Sequence, residues 1–195
     1  MKRMKSVTLF VLFLALPIIA SEAGNNPLVL IKTEFGDIEA EIFVTDVPIA
    51  GINFIQHVEA GTYNTGACFY RVVRMDNQPN NDIKIEVVQG GLYRSGNRIP
   101  PIVHETTEMT GIKHTDGTLS MARREPGTAS TEFSICIGDQ PELDYQGKRN
   151  PDGQGFTAFG KVTKGMDVAR KIQQQKDSSQ YLIQKVAIYA IERIR

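Results

Sequence analysis

Two residues stand out as able to do chemistry: Arg71, inside the run Phe69-Tyr70-Arg71-Val72-Val73, and Gln89, in Val87-Val88-Gln89-Gly90-Gly91. A guanidinium buried without a partner is costly, so Arg71 either faces water or serves a site. Side chains alternate along a strand. Phe69, Arg71 and Val73 are therefore expected on one face of their strand, and Val87 and Gln89 together on one face of theirs. If the two strands are neighbours, they present a fork of N–H donors and a side-chain amide beside apolar groups. The pattern alone leaves a surface arginine equally open.

Other chemistries find little support. His57 falls in a helical stretch, while His104 and His114 lie in loop-like sequence, and no HExxH or CxxC accompanies them. They read as solvated or locally hydrogen-bonded side chains, with no metal site and no cofactor expected. GxSxG, GxxxxGK[ST] and GxGxxG are absent, and the Asp and Glu residues are scattered. Cys68 and Cys136 each sit in an apolar run, where cysteine acts as a small buried hydrophobe, so they are expected to be unpaired and unreactive, a disulfide between them being the alternative in an oxidising compartment.

The 195 residues carry 22 Lys+Arg and 22 Asp+Glu, with 41% hydrophobic and 23% charged residues. That composition excludes a disordered chain or a multi-span membrane protein, and zero net charge gives no global pull toward nucleic acid. Lys2, Arg3 and Lys5 precede an apolar run over 7–20, and Ser21-Glu22-Ala23 places small residues before a cut. This is the layout of a secretory signal peptide, the apolar run being too short to span a bilayer as a helix. Cleavage is expected after Ala23, giving an exported protein, periplasmic or secreted, without stable membrane insertion. Residues 24–195 then form one domain with 19 basic and 21 acidic side chains, expected to be a monomer.

The positioning elements follow from the apolar periods. Strands are expected over 28–35 and 37–43, pivoting on Gly36, and over 68–73, 83–88, 118–122, 133–137, 156–162 and 186–194. A helix opens after Asp46, a capping residue, with Pro48 in its first turn and a stripe of Ile52, Phe54, Ile55 and Val58; a second covers 166–173. Eight strands with two helices suggest a mainly all-β fold, a closed antiparallel barrel whose open ends the helices cap. Pattern alone also admits a sandwich, or a barrel with an internal ligand cavity.

In this order, LVLIKTEFGDIEAEIF, VPIAGINFIQHVEAGTY, FYRVV, VVQGG, GTLSMAR, TEFSICI and LD followed by FTAFGKVTKGMDVARKI resemble the cyclophilin family of peptidyl-prolyl cis-trans isomerases. The likeness spans 28–195. It implies a closed eight-stranded antiparallel barrel capped by two α-helices, with a substrate groove on the outside, acting on proline-containing unfolded or partly folded polypeptides. Arg71 takes the place of the catalytic arginine, and Gln89 that of the residue that holds it or binds the substrate carbonyl. Ala122 and Arg123 fall in the segment that grips the peptide backbone. Phe69, Tyr70, Val87, Glu132, Phe133, Ser134, Leu143 and Phe156 complete the implied substrate site.

The family's proline pocket is altered. Glu86 and Val87 occupy places usually held by an aromatic residue and Met, Ser134 that of a Phe, Glu132 that of a Gln, Glu142 that of a Trp, and Phe156 that of His or Tyr. Residues 74–84 are an insertion beside the groove. The resemblance implies an isomerase with reduced turnover; the alternative is a cyclophilin-like module that binds proline-containing segments with little or no catalysis.

Overall fold

Hydrophobic alternation builds the first hairpin. In the computed structural model, which describes residues 26–93 and 99–195, β1 (Leu28–Thr33) pairs with β2 (Gly36–Ile42) from Leu28↔Glu41 to Thr33↔Gly36. Val29, Ile31, Ile38, Ala40 and Ile42 point inward and are fully buried. The turn is Glu34-Phe35, so Gly36 opens β2 rather than sitting between the strands. The export signal expected over 1–23 lies outside the described residues.

The remaining strands are β3 (Cys68–Val73), β4 (Val87–Gly91), β5 (Thr118–Met121), β6 (Phe133–Cys136), β7 (Ala158–Lys164), β8 (Asp177–Ser178) and β9 (Tyr181–Arg193). Their order is β1-β2-β7-β5-β6-β4-β3-β9, and β9 returns to β1, so eight antiparallel strands close into a barrel. The two residues of β8 add a short hairpin at the start of β9. Closure removes the exposed edges that an open sheet would offer to other chains. Two boundaries shift from expectation. The strand expected over 83–88 forms its ladder at Val87–Gly91, and the closing strand begins at Tyr181 instead of 186.

Helix α1 (Pro48–Glu59) covers one opening and inserts Phe54, whose ring lies 5.2 to 5.5 Å from those of Tyr63, Phe133 and Phe159. With Phe69 and Leu119 these rings fill the interior, which excludes a ligand cavity there. Its buried face is Ala50, Gly51, Phe54, Ile55 and Val58, while Ile52 is exposed. Asp46 does not cap it. The N–H groups of Ile49 and Ala50 instead donate to the buried carboxylate of Glu105, at 3.2 and 2.8 Å. A one-turn helix α2 (Thr107–Thr110), capped by Thr106, is a third helix that four residues without an apolar stripe could not announce. Helix α3 (Met166–Gln173) buries Ala169 and Ile172. Among the described residues no helix is long and apolar enough to cross a membrane.

Candidate active site

Strand pairing sets the site in rows. Arg71 on β3 is opposite Gln89 on β4, Gln89 is opposite Ser134 on β6, and Ser134 is opposite Ser120 on β5. All four line one groove of about 230 Å³ on the outside of the barrel, with Ile85, Val87, Met121, Ala122, Arg123, Leu143, Arg149, Asn150 and Phe156.

Strict alternation would have put Phe69 on the same face as Arg71. A β-bulge prevents it: Phe69 pairs with Gly90 and Arg71 with Gln89, so Tyr70 is the extra residue. Phe69 and Val72 therefore pack in the barrel, whereas Arg71 and Val73 belong to the outer face. The two glycines after Gln89 fit this arrangement. A Cβ on Gly90 would stand 2.7 Å from the Phe69 ring, and one on Gly91, at φ +139°, would stand 2.8 Å from the Glu132 carboxyl group.

Arg71 is half buried and held from two sides. Its Nη1 donates to Gln89 Oε1 at 2.9 Å, and its Nε and Nη2 donate to Gln180 Oε1 at 3.1 and 2.5 Å. Gln89 Nε2 in turn donates to the Tyr70 hydroxyl at 2.7 Å. Burial lowers the Arg71 pKa from its ordinary value, far too high to cost the group its proton near neutrality. Gln180 and Ser179 form the β8–β9 turn with φ of +73° and +52°, a conformation that glycine or asparagine usually supplies. The strain is offset by anchoring: Gln180 N donates to Asp177 Oδ1 at 2.9 Å, Gln180 O accepts from Val72 N at 2.8 Å, and the side chain clamps Arg71.

A second apolar cluster lies outside the barrel. Val73, Ile85, Val87, Cys136 and Leu143 form it, with Phe156 packed against them, and this makes the groove's apolar wall. Glu86 is turned away; its carboxylate accepts from Gln173 Nε2 at 3.3 Å, and Ile85 takes the lining place. Ser120 is fixed from beneath by buried His114, whose Nε2 lies 2.9 Å from Ser120 Oγ and whose Nδ1 lies 2.8 Å from Asp144 Oδ1. His114 is thus buried and long-range bonded rather than solvated.

Of the twelve site residues expected from sequence, the groove brings together Arg71, Gln89, Val87, Ala122, Arg123, Ser134, Leu143 and Phe156. Phe69 and Phe133 are corrected to core residues, both fully buried in the barrel. Tyr70 stands behind Gln89. Glu132 sits under Gly91, its carboxylate oxygens buried without a hydrogen-bond partner. Burial raises the Glu132 pKa; the Tyr70 hydroxyl and the N–H groups of Leu92 and Tyr93 oppose this from nearby, outside good bonding geometry. Ala122 N–H is committed to Glu132 O, at 2.9 Å. The Arg123 guanidinium holds the neighbouring loop, bonding Asp152 at 2.8 and 2.9 Å and Gly155 O, and lying over Phe156. Sequence reasoning missed Ile85, Ser120, Met121, Arg149, Asn150 and Gln180. Ile85 was within reach, two places before Val87; Arg149 and Gln180 arrive from polar turns that carry no signal.

The family model described as cyclophilin type peptidyl-prolyl cis-trans isomerase/CLD matches residues 28–193. The chain belongs to this family. Among its relatives, a peptidyl-prolyl cis-trans isomerase of Acinetobacter baylyi is 34% identical over 160 residues, covering 80% of this chain and 76% of that one. Peptidyl-prolyl cis-trans isomerase A of Dickeya dadantii is 35% identical over 178 residues, covering 89% and 85%. A solved cyclophilin-type isomerase of Cryptosporidium parvum aligns with TM-score 0.70 at 22% identity, over 87% of this chain and 98% of that one. A second structure of that isomerase, obtained in the presence of the dipeptide Ala-Pro, aligns with TM-score 0.68. At that identity the likeness concerns the cyclophilin barrel alone.

Proposed function

We propose that this cyclophilin rotates X–Pro bonds in its outer groove, with Arg71 as the catalytic group. Amide resonance sets a barrier of about 18–20 kcal/mol to that rotation, so the unassisted step takes tens of seconds or longer. No bond is made or broken. What lowers the barrier is a donor placed at the prolyl nitrogen as the bond twists and the lone pair leaves conjugation.

Arg71 is suited to this. A guanidinium has five N–H donors, and the two glutamine amides take three, leaving two for substrate. The acceptors are neutral amides, so the positive charge is not cancelled, and the clamp fixes the fork before substrate arrives. Ile85, Val87, Leu143 and Phe156 supply an apolar wall for the proline ring. The observation that carries the reading is the doubly anchored cation beside that wall.

The same reading takes the substrates to be proline-containing segments of unfolded or partly folded chains. It places the protein outside the cytoplasm, supported by the basic-then-apolar layout of residues 1–23. A protease-free isomerisation assay on a proline peptide tests the role of Arg71. Arg71→Ala is expected to lower kcat/KM by about 10²–10³, the usual cost of a lost transition-state donor. Equal rates for the two proteins would remove Arg71 from the mechanism.

A further inference from the structure

The groove holds cations that nothing in the fold neutralises. Three arginines line it, and no Asp or Glu side chain does. Arg123 is paired with Asp152. Arg71 and Arg149 are not: among the described residues, neither has a carboxylate oxygen within 4.0 Å.

Arg149 enters from the loop between Leu143 and β7. Its Nη1 is pinned by two neutral acceptors of the inserted 74–84 segment, Gln78 Oε1 at 2.9 Å and Ile83 O at 2.7 Å. The side chain is thus built in, half buried and aimed beside the apolar wall. Burial lowers its pKa, and the charge of Arg71 lowers it further, so the two cations feel one another across the groove. None of the three acidic residues that sequence placed near the pocket lines the groove: Glu86 accepts from Gln173, Glu142 accepts from the N–H of Lys148 at 2.8 Å, and the Glu132 carboxyl group lies against Gly91. An unneutralised, part-desolvated guanidinium is a ready partner for a carboxylate.

We propose that Arg149 makes the groove select proline segments that carry Asp or Glu within two residues of the proline, the acidic side chain docking on the Arg149 guanidinium. The proposal rests on the groove being the substrate groove. It reaches past catalysis to substrate class, because Arg71 must act on every substrate whereas Arg149 meets only a flanking side chain.

The test compares kcat/KM for peptides with Glu, Ala or Lys placed before the proline in one series and after it in another. The expected order is Glu above Ala above Lys in at least one series. The Glu-to-Lys ratio should be about tenfold at low salt and shrink toward one at 0.5 M salt, as for a half-exposed charge contact. The ratio is read within each variant, so a general loss of activity cancels. Arg149→Gln brings it to about one, Arg149→Lys retains most of it, and Arg149→Glu inverts it. A merely structural role for Arg149 produces no inversion. Equal rates for all peptides with the wild type, or a ratio that survives in Arg149→Gln, overturns the inference. Binding of the same peptides is followed by NMR titration in parallel. If no peptide is turned over, the isomerase reading fails by itself, and the titration still decides this one: tighter binding of the Glu peptides, lost in Arg149→Gln, supports it, and equal affinities refute it.

Discussion

Arg71 is a cation given two amide oxygens and no carboxylate. A carboxylate would pair with it more strongly and hold its charge away from substrate; neutral acceptors fix its geometry and leave its field in the groove. Gln89→Glu keeps the side-chain length and adds the missing negative charge. It should lower kcat by roughly 10- to 100-fold, since the stabilised charge then belongs to the ground state; undiminished turnover would show that the neutrality of this acceptor is unimportant. A charge in an apolar strand drew attention to Arg71, but the pattern left a surface arginine equally open, and it was the family resemblance that singled out Arg71 and Gln89. Gln180 was singled out by neither. It lies 109 residues from Arg71, in a polar turn that reads as solvent-facing, and only the meeting of β3 with β9 brings it near.

At the scale of elements, hydrophobic periods placed the strands and both longer helices, and missed what holds their ends. Asp46 looks like the cap of α1, yet Glu105, more than fifty residues onward, receives the two N–H donors. Glu105→Ala should therefore cost about 1–2 kcal/mol in denaturant unfolding, the range of a lost cap, whereas Asp46→Ala should change little. The strand expected from 83 failed for a related reason. Gln78, almost fully buried, bonds both the N–H and the C=O of Ile85 with its side-chain amide, standing where a neighbouring strand would. Glu132 is the opposite case, a carboxylate just before β6 whose oxygens are buried with no hydrogen bond of good geometry. Its pKa is raised on folding, so the folded state binds a proton more tightly than the unfolded one. The penalty is full above the folded pKa and vanishes below the ordinary Glu value of about 4.3. Glu132→Gln should raise the melting temperature at pH 7, by about 1 kcal/mol of stability, and the gain should fade as pH drops toward 4. An increment independent of pH would mean that charge is not the cause.

At the scale of the whole molecule, both thiols are covered, Cys136 within the apolar cluster that lies outside the barrel. Cys68 and Cys136 are free and buried, and burial pushes both pKa values up. Neither should react with a disulfide reagent at pH 8 until the barrel opens. Labelling should then follow global unfolding with the denaturant dependence seen by circular dichroism. Fast labelling of the native protein would show that the wall near β3 or β6 opens locally. The closed architecture itself was the most legible feature, since eight short strands and two stripes must bury their apolar faces somewhere. Which loops would reach over the groove was the least legible, because Arg149 is placed by hydrogen bonds to another loop and by no hydrophobic period.

The bulge at Tyr70 acts on β3 as a frameshift acts on a message. Side chains before it are read inward at one parity and those after it at the other. Straightening the strand with every residue kept would impose a single parity and send the charge of Arg71 toward the barrel interior, with Val72 toward water. Substitutions at groove positions such as Val87 or Ser134 change one letter each and leave the core untouched. Variation along the groove is thus free in composition, so specificity can be rewritten there without rewriting the fold.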